Sequence, residues 1–516
     1  MGLLSKPHAT LTDAEVGRYL ALHDQTVADY GDFNEGIKAI LIAMLQSPYF
    51  VYRSELGQPA EGGVYRLTPY EIATELSYFL WGSTPDAELL RAAQAGELAN
   101  SAQILAQAKR LLSSQRSRPV MDHFLRQWLH LDRLFNATKD AQLFPTYTTA
   151  IRTAMDQETT AFFDAVIRGG GKFPELLNAK YTYASASLAQ FYGLQPSGAQ
   201  DAQGLYKLAL PDGRLGLLTH GSLLSTQAKP DTPSPVHRGK LVRERLLCQT
   251  LPPPPPGVVI QLPPVDASLS NRLRFKQHSA DPACSACHRL MDPIGLGFER
   301  FDAVGRYAAT ANGAPIDDSG EIIGGGSAAG TFQGVAALAD RLSQAPEVQE
   351  CFARQWFRYA YGIEEDSRTE AQATQTISRF KDAGLVMSDL LLALTQVPRF
   401  TERAADPGVA PQPDKPTTPS PDMASPPPPP PPPSMYAASV KRDSDWQTGY
   451  CSTVVVVNNG QQAGDWSVTI AIEGTINNLW NADQSGTGTQ ITFRGKDYNK
   501  SLAPGASTSF GFCATK

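Results

Sequence analysis

The side chains of this chain with the clearest capacity for chemistry form a Cys-x-x-Cys-His motif, Cys284, Cys287 and His288. On one helical turn this spacing lets two thiols add to the two vinyl groups of a haem, and the adjacent imidazole then reaches the iron. Ser285 and Ala286 are small and leave room for a flat macrocycle. The motif therefore predicts covalently attached haem c, with His288 as the metal ligand.

The same residues allow three other interpretations. A Cys-x-x-Cys pair can be a structural disulfide, a redox-active dithiol or half of a zinc site. The zinc site is the weakest of these, because the sequence has no second Cys/His pair with ligand spacing. A disulfide leaves the adjoining His288 without an explanation, whereas the haem hypothesis accounts for all three residues.

The ligand on the other side of the iron is not identified by the motif. Met291 is three residues from His288, so on a helix it lies on the same side of the iron as the imidazole. An open position is one alternative, and the other candidates are side chains elsewhere in the chain: His220, His237, His278 and Met387. Without this ligand, the sequence does not distinguish electron transfer from peroxide or oxygen chemistry.

Helical periodicity on both sides of the motif predicts the elements that hold it. Thr68–Glu71 has the pattern of a helix start, with proline at the first helical position. Apolar residues then recur as on one buried helical face: Ile72, Leu76, Phe79 and Leu80. Residues 205–315 show fewer clear helices, and Pro252–Pro256 favours an extended polyproline stretch that leads into the motif.

A change of composition separates the C-terminal part of the chain. Residues 404–434 are rich in Pro, Ser, Thr, Ala and Asp and end in eight prolines, which predicts a stiff linker without a core. At roughly 3.1 Å per residue the prolines alone span about 25 Å. Beyond the linker, β-branched runs separated by Asn/Gly turns predict a small β-sandwich.

The predicted fold class is therefore multidomain, with a mainly α-helical N-terminal body that contains the haem motif and a small all-β sandwich at the C-terminus. Six parts are predicted: a helical N-terminal segment (10–57), an all-helical domain (62–195), a cytochrome-like domain with the motif (205–315), a helical domain (325–402), a Pro-rich linker (404–434) and a β-sandwich (435–516).

Aromatic side chains beside turns give the β-module a second kind of chemistry. Trp446, Trp480 and Tyr498 each lie next to a turn, where a large exposed ring is unfavourable unless it binds something. Flat rings stack on the apolar faces of sugar rings, and neighbouring Asn or Gln can bond the hydroxyls. The alternative is three partly buried structural aromatics. Trp466 alternates with Val468 and the next apolar residues, so it is predicted to face the core.

The chain also resembles a known group of proteins. Cys-x-x-Cys-His-x-x-Met-Asp-Pro-Ile-Gly (284–295), followed by Phe-Asp-Ala-Val-Gly-Arg (301–306), resembles the planctomycete-type cytochrome-associated proteins, large secreted bacterial proteins built from "domains of unknown function". The resemblance extends to residues 67–81, 218–224 and 234–239 and to the helix of Cys351, and so covers nearly all of 10–402. It implies a helical, haem c-type architecture and no established reaction.

The C-terminal module resembles a family-two, cellulose-binding carbohydrate module. The resemblance is carried by Trp446-x-x-Gly-Tyr, Leu-Trp480-Asn-Ala, Tyr498-Asn and the Leu-Ala-Pro-Gly-Ala-Ser segment at 502–507. It implies that Trp446, Trp480 and Tyr498 form the sugar-binding platform, although the last position is often Trp in the family. By the same resemblance Cys451 and Cys513 fall on strands that could pair as a disulfide. Cys248 and Cys351 are left over, and sequence does not prove their pairing.

Composition and targeting signals restrict where the protein acts. A formal net charge of −6 and the lack of a long basic run give no reason to expect a nucleic-acid partner. No run of 18 apolar residues occurs, so no membrane span is predicted. The N-terminus lacks the apolar segment of a secretory signal, although haem attachment and polysaccharide binding both point outside the cytoplasm. We therefore expect an extracellular or periplasmic protein whose upstream segment is missing from this chain.

Together these features predict a secreted c-type haem redox protein targeted to cellulose or a similar β-glucan, with an unknown redox partner. One alternative is a polysaccharide hydrolase, which needs two carboxylates about 5 or 6.5–9.5 Å apart. Candidates by proximity in the sequence are Glu299 with Asp302 and Asp317 with Asp318. The other alternative is a polysaccharide-binding protein without catalysis. The catalytic residues themselves are not identified by the sequence.

Overall fold

The structure is a computed structural model in which the chain forms two compact units, Met1–Val409 and Ala410–Lys516. It describes residues 13–53, 55–251, 270–278, 282–311, 314–404, 435–446, 448–486 and 488–516. Within these ranges the side chains at 48–49, 276–278, 282–284, 286, 444 and 446 lie outside the description.

The larger unit is built mainly from helices. They are α1 (Asp13–Tyr30), α2 (Phe33–Gln46), α3 (Pro48–Val51), α4 (Pro69–Trp81), α5 (Ala87–Gln94), α6 (Ser101–Ser113), α7 (Arg118–Leu129), α8 (Thr149–Arg168), α9 (Phe173–Asn178), α10 (Ala186–Phe191), α11 (Gly221–Thr226), α12 (Pro235–Leu241), α13 (Asn271–His278), α14 (Pro282–Gly295), α15 (Gly334–Gln344), α16 (Pro346–Tyr361), α17 (Glu370–Asp382), α18 (Met387–Leu394) and α19 (Pro398–Thr401). A π-helical segment, Val242–Leu246, directly follows α12.

Short strands accompany these helices. They are β1 (Gln58–Ala60), β2 (Val64–Arg66), β3 (Tyr181–Ala184), β4 (Tyr206–Ala209), β5 (Thr310–Ala311), β6 (Ala314–Pro315), β7 (Ser319–Ile322), β8 (Gly330–Gln333) and β9 (Glu402–Ala404). The segment predicted to be all-helical therefore also contains β2 and β3, which is a correction. In β3 the aromatic and β-branched side chains alternate between half-buried and buried positions, a period of two that favours a strand.

The predicted helix start at Thr68 is confirmed as a capping box. The Thr68 hydroxyl accepts a hydrogen bond from the Glu71 amide, and the Glu71 carboxylate accepts one from the Thr68 amide at 2.7 Å. The apolar stripe of α4 is buried as predicted: Ile72, Leu76, Phe79 and Leu80. The core continues through aromatic contacts such as Phe124 on Trp356, whose ring centres lie 3.6 Å apart.

A buried polar cluster joins α8 to the segment that precedes α11. The Glu158 carboxylate accepts hydrogen bonds from the hydroxyls of Thr182 at 3.0 Å and Tyr192 at 2.6 Å. The Arg214 guanidinium lies 4.1 Å from the centre of the Tyr192 ring, and His220 lies 3.4 Å from the Thr182 hydroxyl. Burial raises the pKa of Glu158 to about 7 and lowers the pKa of His220 to about 3.

The C-terminal module is a β-sandwich, as predicted. Its strands are β10 (Tyr436–Trp446), β11 (Gly449–Asn458), β12 (Gly464–Asp465), β13 (Ser467–Ala471), β14 (Thr475–Trp480), β15 (Ala482–Ser485), β16 (Gln490–Gly495), β17 (Ser501–Leu502) and β18 (Ser507–Thr515). One sheet has the order β10-β11-β18-β14 and the other β13-β16-β15, with antiparallel pairing throughout. Trp466 is 1% exposed and stacks on Phe510 between the sheets, which confirms its predicted inward position.

Two disulfides cross-link the chain. Cys451 and Cys513 face each other on β11 and β18 and are bonded. Cys248, just after the π-helical segment, is bonded to Cys351 of α16. The second bridge links two parts of the body that are 103 residues apart in sequence. It gives a partner to the two cysteines that the sequence left over.

Candidate functional sites

The Cys-x-x-Cys-His motif lies on α14. The Cys287 thiol is free and partly exposed, and the imidazole of His288 is 15% exposed. The Cys284 side chain, like that of the candidate ligand His278, lies outside the described residues. The helix therefore carries Cys287 and His288 on consecutive positions of one turn, as the motif requires.

The imidazole of His288 is held by a carboxylate one turn further along α14. Its Nδ1 lies 3.1 Å and 3.0 Å from the two carboxylate oxygens of Asp292. A carboxylate only accepts hydrogen bonds, so Nδ1 carries the proton and Nε2 carries the lone pair that a metal needs. This hydrogen bond raises the pKa of His288 above its ordinary value. The sequence analysis missed this role of Asp292, although a His-x-x-x-Asp spacing on a helix is the signal that could have revealed it.

The second half of α14 packs directly against α12. A Cβ at Gly239 of α12 would collide with the Met291 carbonyl group, and a Cβ at Gly295 would collide with the Pro235 carbonyl group. Glycine at both positions therefore lets the two backbones touch. Met291 itself is 7% exposed and lies in this contact region. Close backbone packing fixes the position of α14 and thereby the direction of the His288 side chain.

Two buried arginines bind the main chain of α14 and of the loop that follows it. Arg243 donates from Nε to the Leu290 carbonyl at 2.9 Å. Arg238 donates to three carbonyl oxygens: Phe298, Phe301 and Asp302. Both arginine residues are 2% exposed, and burial lowers the pKa of each. Because a guanidinium presents several donors in a fixed plane, it can hold several carbonyls in one arrangement.

The sixth-ligand candidates that the structure describes have other contacts. His220 is 1% exposed and lies within hydrogen-bonding distance of Thr159 and Thr182. His237 is two positions from both Pro235 and Gly239, so it points away from α14, and burial lowers its pKa to about 4. Met387 is 1% exposed in the helical core. The described contacts therefore assign His220 and Met387 to the packing of the body.

The carboxylates considered for glycoside hydrolysis are bound to neighbouring groups. Asp302 accepts hydrogen bonds from the Val304 and Arg306 amides and pairs with the Arg306 side chain. The other two aspartates are also in ion pairs, Asp317 with Arg272 and Asp318 with Arg300. Glu299 is buried, which raises its pKa to about 6. Within the described residues, the three aspartates are therefore engaged by neighbouring groups.

On the β-module, Trp480 and Tyr498 lie at the surface, 40% and 71% exposed. The Tyr498 hydroxyl donates to the Asn481 side-chain oxygen at 2.8 Å, and the Asn499 side chain donates to the Asn481 carbonyl at 2.9 Å. Asn481 has a φ of 64°, a left-handed conformation that asparagine tolerates well. The third residue that the sequence predicts for the platform, Trp446, ends β10, and its side chain lies outside the described residues. The asparagine bonds connect the segments that carry Trp480 and Tyr498, and the sequence analysis did not predict them.

The indole of Trp480 lies against the backbone of the neighbouring strand. Trp480 is paired with Gly511 in the β14–β18 register, and a Cβ at Gly511 would collide with the indole ring. The glycine therefore lets the ring lie close to β18. A ring supported in this way has fewer conformations to lose when a ligand stacks on it, which favours binding.

Two further features of the described residues concern a metal site and the membrane. No three His, Cys, Asp or Glu side chains group into a metal site within the described residues. A haem does not need such a group, because the porphyrin supplies four of the iron ligands. In the described parts of the chain, no helix combines the length and the apolarity that crossing a bilayer requires.

Comparison with protein-family models assigns most of the chain. Four models described as "Protein of unknown function" match in succession: DUF1595 at 9–55, DUF1592 at 67–194, DUF1588 at 214–311 and DUF1585 at 329–400. Residues 436–516 match the model "Cellulose binding domain". The chain thus contains the four domains found in planctomycete-type cytochrome-associated proteins, followed by a C-terminal cellulose-binding domain. Its α14 helix belongs to the DUF1588 domain, and its exposed Trp480 and Tyr498 belong to the cellulose-binding domain.

Individual proteins are similar over short stretches. The major extracellular endoglucanase of Xanthomonas campestris pv. campestris is 41% identical over 81 residues, which are 16% of this chain and 17% of the relative. Endoglucanase E-5 of Thermobifida fusca is 33% identical over 81 residues, 15% of this chain and again 17% of the relative. The chain thus covers 17% of the length of each of these curated relatives.

Solved structures of binding domains are also similar. The chitin-binding domain of Chi18aC from Streptomyces coelicolor is 32% identical, with 15% of this chain and 78% of that domain covered and a TM-score of 0.14. The cellulose-binding family 2 domain of ScLPMO10C is 29% identical, with 16% and 84% covered and a TM-score of 0.15.

Proposed function

We propose that this protein is a secreted c-type haem redox protein that its cellulose-binding domain holds on cellulose or a similar β-glucan. The assignment of haem is supported mainly by the thiol and imidazole groups on α14. A free thiol, Cys287, precedes an imidazole whose Nδ1 is already bonded to Asp292, inside a domain of a cytochrome-associated family. These residues fit a haem that is attached through thioethers and ligated by a histidine.

Four residues of α14 and two residues that pack against it would each have a role in holding the haem. Cys284 and Cys287 would bind it covalently, and His288 would ligate the metal through Nε2. Asp292 holds the proton on Nδ1, while Gly239 and Arg243 fix the helix through backbone contacts. When bound, haem supplies one-electron chemistry that amino-acid side chains do not offer.

The platform of the cellulose-binding domain is proposed to consist of Trp446, Trp480 and Tyr498. The exposure of Trp480 and Tyr498 and the asparagine bonds between their segments support this assignment. Flat rings cover the apolar faces of successive sugar rings, and the exposed side chain of Asn481 lies beside Tyr498. The binding domain would keep the redox domain near an insoluble substrate and raise its local concentration.

An extracellular or periplasmic location agrees with this function. Both disulfides, Cys248–Cys351 and Cys451–Cys513, are of the kind that persists in oxidising compartments. Covalent haem attachment and a solid polysaccharide ligand belong outside the cytoplasm as well.

A pyridine haemochrome assay tests the haem part. The full chain is expressed with cytochrome c maturation machinery, and we expect a c-type spectrum that stays with the protein under denaturing conditions. Cys287→Ala should lose the covalent colour and keep cellulose binding. A colourless wild-type protein with Cys284 and Cys287 joined as a disulfide would contradict the proposal and leave a polysaccharide-binding protein.

A further inference from the structure

The partner of His288 is a buried carboxylate and not a neutral acceptor. Asp292 offers both oxygens to Nδ1, and its side chain is 8% exposed. Among the side chains that the structure describes, no lysine or arginine forms an ion pair with this carboxylate. A buried carboxylate needs hydrogen bonds or opposite charge to offset its lost hydration. In the described structure His288 supplies that compensation.

The packing of α14 keeps the two side chains in this arrangement. Leu290, between His288 and Asp292, is bonded through its carbonyl to Arg243. The backbone of Met291, the next residue, is in close contact with Gly239 of α12. The helical turn that spans the His288–Asp292 pair is therefore fixed from outside before any cofactor is present.

We propose that Asp292 is a positioning residue that holds His288 in the Nδ1–H tautomer and lowers the reduction potential of the haem attached beside it. The second half of this inference rests on the proposed function. A carboxylate that accepts the Nδ1 proton makes the imidazole a more basic ligand than a neutral carbonyl would. A more basic ligand stabilises the oxidised iron more than the reduced iron, so Asp292 favours a site that gives electrons to its partner.

The first test uses the full chain expressed without haem-attachment machinery. Histidine is labelled with ¹⁵N, and the ring nitrogen signals are recorded at a pH where the imidazole is neutral. His288→Gln identifies the signal of interest by its loss. We expect the Nδ1–H tautomer in the wild-type chain and the Nε2–H tautomer, the preferred form of free imidazole, in Asp292→Ala. An unchanged tautomer in Asp292→Ala would overturn the inference.

The second test measures reduction potentials of the haem-loaded chain. Asp292→Asn keeps a neutral acceptor but removes the charge, so its potential should rise. We expect at least a tenfold shift of the oxidised-to-reduced ratio, which corresponds to about 59 mV for one electron. Asp317→Asn removes one charge from an exposed aspartate and serves as the control. Equal shifts in both variants, or none in Asp292→Asn, would contradict the inference.

The two tests separate this inference from the proposed function. If the wild-type chain takes up no haem, the proposed function fails, while the tautomer measurement still decides whether Asp292 controls His288. If haem attaches and Asp292→Asn leaves the potential unchanged, only the inference fails. Thermal unfolding of each variant shows whether a change comes from loss of the fold, and Asp292→Glu should restore the wild-type tautomer if the carboxylate is what matters.

Discussion

The aromatic side chains of the cellulose-binding domain differ in how much of each ring is exposed. Trp466 is buried between the sheets, whereas Trp480 is 40% and Tyr498 71% exposed. Burial assigns Trp466 to the core, because its apolar ring and its bonded Nε1 are both satisfied there. The two exposed rings instead leave apolar surface in contact with solvent. This difference allows the binding role to be tested one residue at a time.

Replacing Trp480 with alanine should weaken cellulose binding without unfolding the domain. A central stacked tryptophan typically contributes about 2 kcal/mol, or roughly 30-fold in affinity. Pull-down on microcrystalline cellulose measures the change, and Val455→Ala, which shortens another exposed apolar side chain, is the matched control. Wild-type affinity in Trp480→Ala would remove this residue from the platform.

Glu158 should give the stability of the body a distinct pH dependence. Its native pKa is about 7, above the ordinary value of 4.5, so between these pH values the native state keeps a proton that the unfolded state has lost. The free energy of unfolding should therefore fall as pH rises through this window, by up to about 3 kcal/mol from this residue. Glu158→Gln cannot lose the proton, so its decline should be smaller.

Urea unfolding at pH 5 and pH 7 measures this difference. The stability of Glu158→Gln relative to wild type should increase from the lower to the higher pH. Glu61→Gln, at an exposed position, should follow the wild-type profile. A Glu158→Gln profile parallel to wild type would show that this carboxyl group has no raised pKa in the folded protein.

At the scale of elements, the contact between α12 and α14 controls the geometry of the motif. Gly239 lets the two backbones touch, and a larger residue must push the helices apart. Overpacking of this kind typically costs about 1–3 kcal/mol. A side chain at position 239 would collide with the Met291 backbone. The resulting displacement of α14 would therefore occur in the turn that joins His288 to Asp292.

Gly239→Ala should therefore reduce haem incorporation during maturation and lower the thermal stability of the body. Absorbance per mole of purified protein and the melting temperature are the measurements. Gly17→Ala is the control, since a Cβ at Gly17 of α1 meets nothing nearby and alanine favours a helix. Full haem content in Gly239→Ala would show that the exact contact of these helices does not matter.

At the scale of the whole molecule, the chain consists of two compact units with separate cores. Each unit contains its own disulfide, Cys248–Cys351 in one and Cys451–Cys513 in the other. Units with separate cores are expected to fold independently. The proposed function needs this independence, because one unit must stay on a solid surface while the other carries a redox group.

Fragments 1–404 and 435–516 should each unfold at the temperature of the corresponding transition in the full chain, within about 2 °C. Calorimetry makes this comparison. Only the second fragment should bind cellulose, and only the first should take up haem. A fragment 435–516 that does not fold alone, or a fragment 1–404 that binds cellulose, would contradict the division of roles.

The sequence by itself determined the features that depend on local chemistry. The spacing of Cys287 and His288 needs only one helical turn, the helix start at Thr68 needs four consecutive residues, and the inward position of Trp466 follows from alternation along a strand. The change to a Pro-rich composition separated the binding domain from the body. Each of these features depends only on residues that are close in sequence, so it can be predicted without knowing the rest of the fold.

Only the tertiary structure decided which distant groups meet. Cys248 forms a disulfide with Cys351, 103 residues away in sequence. Gly239 packs against Met291, and Arg238 donates hydrogen bonds to backbone carbonyls beyond α14. Strand β3 lies inside a segment predicted to be all-helical, and it pairs with β4, which lies more than twenty residues further along the chain. Such pairings depend on how the whole chain buries its apolar surface. A local sequence pattern is compatible with several distant contact partners, and the packing of the whole chain determines which of them is used.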